Sequence, residues 1–125
     1  MNTNKIKEDI TKLSITQSKL EHKIEKLRDI ETKLEKVTKE KDDLEFEYAE
    51  YLIDKNIEFI KKYRLYTNAI FGHNVYKEDG LWYLYITDRI NHNSVNFIIL
   101  DDDTLELYCY CIDGEVIETG ARYEE

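Results

Sequence analysis

The sequence predicts an α+β protein, in which a long N-terminal coiled-coil helix leads into a small antiparallel β-sheet domain packed on the end of that helix. Three observations carry this expectation. Residues 1–64 contain neither Gly nor Pro, and their apolar residues recur at alternating steps of three and four, the signature of a helical seam. Past residue 70, runs rich in Tyr, Ile, Leu and Val are punctuated by Asp79-Gly80 and Asp113-Gly114, dipeptides that suit tight hairpin turns. The chain has 125 residues, room for one small domain with an extended segment and not for a conventional two-domain enzyme.

The helical part comes first. Ile6, Ile10, Leu13, Gln17, Leu20, Ile24 and Leu27 occupy successive a and d positions. A second run, Leu27, Ile30, Leu34, Val37, Lys41, Leu44, Tyr48 and Tyr51, is offset from the first because Ile24, Leu27 and Ile30 are separated by three plus three. That stammer overwinds a supercoil locally. With no breaker between the runs, a single helix of about 58 residues is expected, roughly 87 Å long at about 1.5 Å per residue. Ile at a (Ile10, Ile24) with Leu at d (Leu13, Leu20, Leu27) favours a parallel dimer, and the polar residues Gln17 and Lys41 are candidates for fixing its register. The dimerisation set is therefore Ile10, Leu13, Gln17, Leu20, Ile24, Leu27, Ile30, Leu34, Val37, Lys41, Leu44 and Tyr48.

Leu52, Ile53, Ile57, Ile60 and Tyr63 form a broader apolar stripe, suited to covering a sheet. The organisation that follows is a rod over 1–51, a joining and covering helix over 52–67, and a sheet domain over 68–125. Asn68 and Gly72, with the aromatic residues Tyr66 and Phe71, mark the exit from helix. Strands are expected from Ile70 to Tyr76, Leu81 to Thr87, Val95 to Leu100, Thr104 to Ile112 and Val116 to Thr119, ordered as a meander. Strict alternation along the fourth would put Leu105, Leu107, Cys109 and Cys111 on the core face, and Thr104, Glu106, Tyr108 and Tyr110 on the wetter one.

Charge is unevenly distributed. The whole chain carries 27 acidic and 18 basic side chains; residues 68–125 hold 12 of the acidic and 3 of the basic ones. An acidic head of this kind lacks the electrostatic drive for nucleic acid or anionic membrane, and direct nucleic-acid binding is not expected. Lys61, Lys62 and Arg64 form a small basic collar at the helix end, where cations suit the helix dipole. The charged N-terminal segment lacks the apolar run of a signal peptide, and no window reaches the length of a membrane span. Two cysteines one residue apart read as reduced thiols, so an intracellular setting, cytoplasmic or nuclear, is expected.

Motifs for chemistry are sparse. Cys109 and Cys111 with His73 and His92 would supply four zinc ligands, but a lone CxC on an inward strand face reads better as reduced core cysteines. Asp101, Asp102 and Asp103 lack the spacing of a calcium loop and read as a solvated turn. Neither a phosphate-binding glycine loop nor a nucleophile elbow is present. A noncatalytic protein without cofactor is the expectation. Tyr83, Tyr85, Tyr108 and Tyr110, with Asp101, Asp102 and Asp103, are the candidate partner-binding residues: tyrosines on a sheet either stabilise cross-strand pairs or anchor a protein ligand.

A helix entering a small domain through Tyr63-Arg64-Leu65-Tyr66, followed by Gly72, Leu81-Trp82-Tyr83-Leu84-Tyr85-Ile86-Thr87, Val95-Asn96-Phe97-Ile98-Ile99-Leu100 and Leu105 to Tyr110, resembles the coiled-coil RWD-type kinetochore and monopolin proteins. The resemblance implies an abbreviated version of that domain, since Glu115 to Glu125 is too short for its usual closing helix. It also implies a parallel homodimer, or pairing with a related coiled-coil subunit, and heads that bind other proteins in kinetochore or chromosome organisation. The function expected is therefore a dimeric scaffold or adaptor. The alternative is a viral or mobile-element inhibitor that fills the basic groove of a nucleic-acid-binding protein.

Overall fold

The computed structural model describes residues 2–23, 28–63, 71–88, 90 and 92–123. They form helices α1 (Thr3–Lys23), α2 (Arg28–Lys55) and α3 (Ile57–Ile60), then strands β1 (Phe71–Glu78), β2 (Leu81–Asp88), β3 (Asn93–Ile99), β4 (Leu105–Ile112) and β5 (Glu115–Thr119). The fold is α+β, with N-terminal helices preceding a five-stranded antiparallel sheet in the order β1-β2-β3-β4-β5. Two compact units result, Met1–Tyr48 and Ala49–Glu125.

In the helical unit the expected single long helix is replaced by two. Gln17 Nε2 donates to Thr38 Oγ1 at 3.2 Å, and Lys7 Nζ lies 5.6 Å from the centre of the Tyr48 ring. As the chain advances from Lys7 to Gln17 its neighbour recedes from Tyr48 to Thr38, so α1 and α2 run antiparallel. Ile6, Ile10, Ile30 and Tyr48 are buried, while Leu13, Leu20, Leu34, Val37 and Leu44 are half-buried. The a/d pattern thus serves, at least in part, an intrachain helical hairpin. A heptad seam specifies a partner helix without saying which chain supplies it, and a tethered partner is met at high effective concentration. Of the dimerisation set, Ile24 and Leu27 lie outside the described residues. Gln17 spans the two helices, and Lys41 pairs with Glu45 at 3.3 Å on α2 itself. Burial pushes the Glu45 carboxyl above its ordinary value, against the opposing pull of Lys41.

In the sheet unit, α2 stops at Asn56, whose side-chain amide donates to the Leu52 carbonyl, one turn back, and to the Asp103 carbonyl, each at 2.9 Å. An Asn that bonds the backbone in this way competes with the helical ladder. Leu52, Ile53, Ile60 and Tyr63 nonetheless keep the expected stripe and are buried. They share a core with Val75, Leu84, Ile86, Val95, Phe97, Ile99, Leu105 and Leu107. Phe97 sits at its centre: Phe59 meets its ring at 5.6 Å and Tyr63 at 5.4 Å, both edge-on.

The turns follow the local chemistry. Asp79 and Gly80 have φ of 51° and 82°, Asp113 and Gly114 of 53° and 83°, and each dipeptide closes a two-residue hairpin by pairing Glu78 with Leu81 and Ile112 with Glu115. Two consecutive positive φ values are what such a turn demands, and Asp-Gly supplies them at little strain. The first turn is so tight that Glu78 remains in β1.

Alternation fails in β4. Asn96 pairs with Cys109 but Phe97 pairs with Leu107, which leaves Tyr108 as the extra residue of a β-bulge. Beyond a bulge the pleat is offset by one place. Cys109 and Cys111 consequently lie on the face opposite Leu105 and Leu107, and Tyr110 turns into the core, where it meets the Tyr63 ring at 5.0 Å. This overturns both the inward placement of the cysteines and the shared face of Tyr108 and Tyr110.

Candidate functional site

The sheet face opposite the helix-covered core is aromatic. Antiparallel register sets Tyr76 of β1 opposite Tyr83 of β2, and their rings stack at 5.1 Å with an interplanar angle of 12°. Tyr83 continues to Tyr108 at 5.4 Å, edge-on, and Tyr108 to Tyr123 at 5.3 Å. Four rings therefore run from β1 to the segment after β5. Ile98, fully buried, belongs to this face because it pairs with Tyr83. Asn96 Nδ2 donates to the Tyr76 hydroxyl at 2.6 Å. Burial pushes the Tyr76 and Tyr83 hydroxyls above their ordinary value, and for both the Glu78 carboxylate adds a smaller push in the same direction.

The rings of Tyr76, Tyr83, Tyr108 and Tyr123 border a cleft of about 770 Å³, together with Glu78, Asp79, Leu81 and Arg122. Arg122 Nε stands 3.2 Å from Glu106 Oε2, an ion pair that ties the last described residues to β4. Gly120 makes this return possible. Its N–H donates to the Tyr108 carbonyl at 3.0 Å, and a Cβ built there would lie 1.6 Å from the Leu107 carbonyl oxygen. Gly120→Ala is therefore expected to cost about 1–3 kcal/mol and to release Tyr123 from Tyr108. Urea unfolding and loss of the ring-current-shifted Tyr123 NMR signals check this; unchanged stability with the Tyr123 signals in place would refute it.

The sequence-derived binding residues separate. Tyr83 and Tyr108 join the ring chain, Tyr85 lies on the same face but outside that chain, and Tyr110 belongs to the core. Tyr76 and Tyr123 were missed. Reading Asp79-Gly80 as a two-residue turn makes Tyr76 the partner of Tyr83 by register alone, so that signal was available. Nothing local foretold Tyr123.

The three aspartates form the β3–β4 connection. Lys55 Nζ donates to the Asp102 carbonyl and Asn56 to that of Asp103, so the turn is tied to the end of α2. The Thr104 hydroxyl and N–H both donate to Asp102 Oδ1, and these bonds hold the Asp102 carboxyl below the usual carboxylate range. Asp103 is buried with φ of 61°. Asp101 and Asp102 remain exposed.

The cysteines are neighbours on the aromatic face, with sulfurs 3.7 Å apart. Burial, then Cys111 beside it, pushes the Cys109 thiol up to about 11 from an ordinary value of 9.0. A rise of that size lowers the reactive thiolate fraction near pH 8 roughly 100-fold. Iodoacetamide modification of Cys109 at pH 8, followed by peptide mass mapping, is expected to be at least about 10-fold slower in the folded chain than in urea; equal rates would refute the assignment.

His73 Nε2 lies 3.1 Å from Glu50 Oε1 with its side chain 7% exposed, whereas His92 is exposed and its carbonyl accepts the Asp113 N–H. The two histidines and two cysteines are not gathered: among the described residues, no group of three or more His, Cys, Asp or Glu side chains is placed to hold a metal ion. The basic collar is engaged locally. Lys61 pairs with Glu58 at 3.2 Å and Lys62 Nζ lies 5.2 Å from the Phe59 ring centre, while Arg64 lies outside the described residues. No described helix is long and apolar enough to cross a membrane. Comparison of the chain with family models, curated proteins and solved structures gives no match.

Proposed function

We propose that the chain is a noncatalytic scaffold or adaptor whose sheet unit binds a protein partner through the tyrosine face. The observation that carries this reading is the ring chain itself: Tyr76, Tyr83, Tyr108 and Tyr123 are locked by one another and bordered by a cleft. Rigid aromatic side chains with one polar tip lose little conformational entropy on binding and dominate protein interfaces. Assembly through the helices belongs to the same reading. Leu13, Leu20, Leu34, Val37 and Leu44 stay half-buried beside the paired helices, and a second hairpin would cover them and bring two heads together for avidity. A role in chromosome organisation rests on the resemblance to RWD-type proteins alone.

Two measurements test this. Light scattering of the full chain should return twice the 15.0 kDa protomer mass; a protomer mass at all concentrations would remove the dimeric part. Peptide selection on the full chain should yield sequences whose binding is lost in Tyr108→Ser with Tyr123→Ser, two half-buried positions. Recovery of no binder, or of binders indifferent to that pair of substitutions, would sink the adaptor reading.

A further inference from the structure

Resting on the adaptor reading, we infer that the tyrosine-bordered cleft is a site for a cationic side chain, the ammonium or guanidinium of a basic peptide segment. Two features of one cavity converge on this. Tyr76, Tyr83, Tyr108 and Tyr123 border the cleft, and an aromatic ring attracts a cation placed over its face. Glu78 and Asp79, at the hairpin turn beside Tyr76 and Tyr83, add two carboxylates to the same lining.

Among the described residues, neither carboxylate forms an ion pair. Arg122 is the cationic residue of the lining, and its guanidinium is engaged by Glu106 at 3.2 Å. Lys77 pairs across the ladder with Trp82, which alternates to the opposite face from Tyr83, so its side chain leaves from the other side of the sheet. The surrounding residues 68–125 bring 12 acidic against 3 basic groups, a field that draws a basic segment toward the head and repels an acidic one. A nucleic acid would find rings to stack on, but its phosphates would meet Glu78 and Asp79. The occupant that satisfies rings and carboxylates together is therefore a basic peptide.

The test is an NMR titration of the isotope-labelled full chain with acetyl-Gly-Arg-Lys-Arg-Gly-amide. Controls are the same peptide with Gln or Glu replacing its three charged residues, and oligothymidylate. Shifts are expected at residues 76–83, 108 and 121–123, with the basic peptide only. Affinity should fall at least about fivefold in Glu78→Gln with Asp79→Asn, since the carboxylates reinforce the cation–π contact. Asn tolerates the positive φ of Asp79, so the turn is kept, and an unchanged spectrum of the free variant verifies it. Tyr108→Leu should weaken binding while leaving the carboxylates in place.

Equal binding of the neutral peptide, indifference to the carboxylate substitutions, or shifts centred on Asp101 to Asp103 would overturn the inference. Salt-sensitive binding of oligothymidylate to the same residues would overturn it in favour of nucleic acid. If peptide selection returns sequences without basic residues that perturb this face, the adaptor reading stands and the cationic occupant falls. If no peptide binds at all, both fall.

Discussion

Phe97→Ala should destabilise the sheet unit by about 3–5 kcal/mol, the range for truncating a buried aromatic residue. Phe97 is fully buried, and two rings, Phe59 and Tyr63, meet it edge-on within 6 Å of its centre. Its removal leaves a cavity between the helical cover and the third strand, and the rigid ladder on either side, Leu84 on β2 and Leu107 on β4, prevents collapse into it. Tyr63 also loses part of the contact that orients it against Tyr110. Urea unfolding followed by Trp82 fluorescence reads the effect. A loss below about 1 kcal/mol, the scale of an ordinary surface substitution, would mean that the core is not centred on Phe97.

Ile10→Asp should release α1 from α2 and lower the helicity of the full chain. Ile10 is 3% exposed and lies on the stripe between Lys7 and Gln17, the two α1 residues seen in contact with α2. A carboxylate there is desolvated without a partner, and the apolar burial is lost too. About 3–5 kcal/mol is expected, more than a short helix pair withstands. Circular dichroism at two concentrations separates the possibilities. In an intrachain hairpin the wild-type helicity is independent of concentration and the variant loses it at both. Wild-type helicity that grows with concentration would instead assign the seam to pairing between chains, and a variant with unchanged helicity would remove Ile10 from either interface.

Met1–Tyr48 and Ala49–Glu125 are each compact by themselves. Phe97→Ala is expected to weaken the near-ultraviolet signal of the sheet unit and to loosen the last turns of α2, where Leu52 and Ile53 share its core.

Much of this protein was determined by local chemistry and could be read from the sequence. Periodicity specified helix before residue 64 and strand after 70, the Asp-Gly dipeptides set two hairpin turns because only certain residues tolerate paired positive φ, and the stripe from Leu52 to Tyr63 marked the helical cover of the sheet. What tertiary structure decided was which surfaces meet. The seam through Ile10, Gln17 and Tyr48 has the same a/d pattern whether its partner is another molecule or the next helix, and only the contacts from Gln17 to Thr38 and from Lys7 to Tyr48 show the partner in α2. The bulge at Tyr108 carries no local signal, yet it exchanges the faces of Cys109, Tyr110 and Cys111. Tyr123 reaches the ring chain because Gly120, lacking a Cβ, lets the chain pass close over Leu107, a fit that exists only once β4 and β5 are paired.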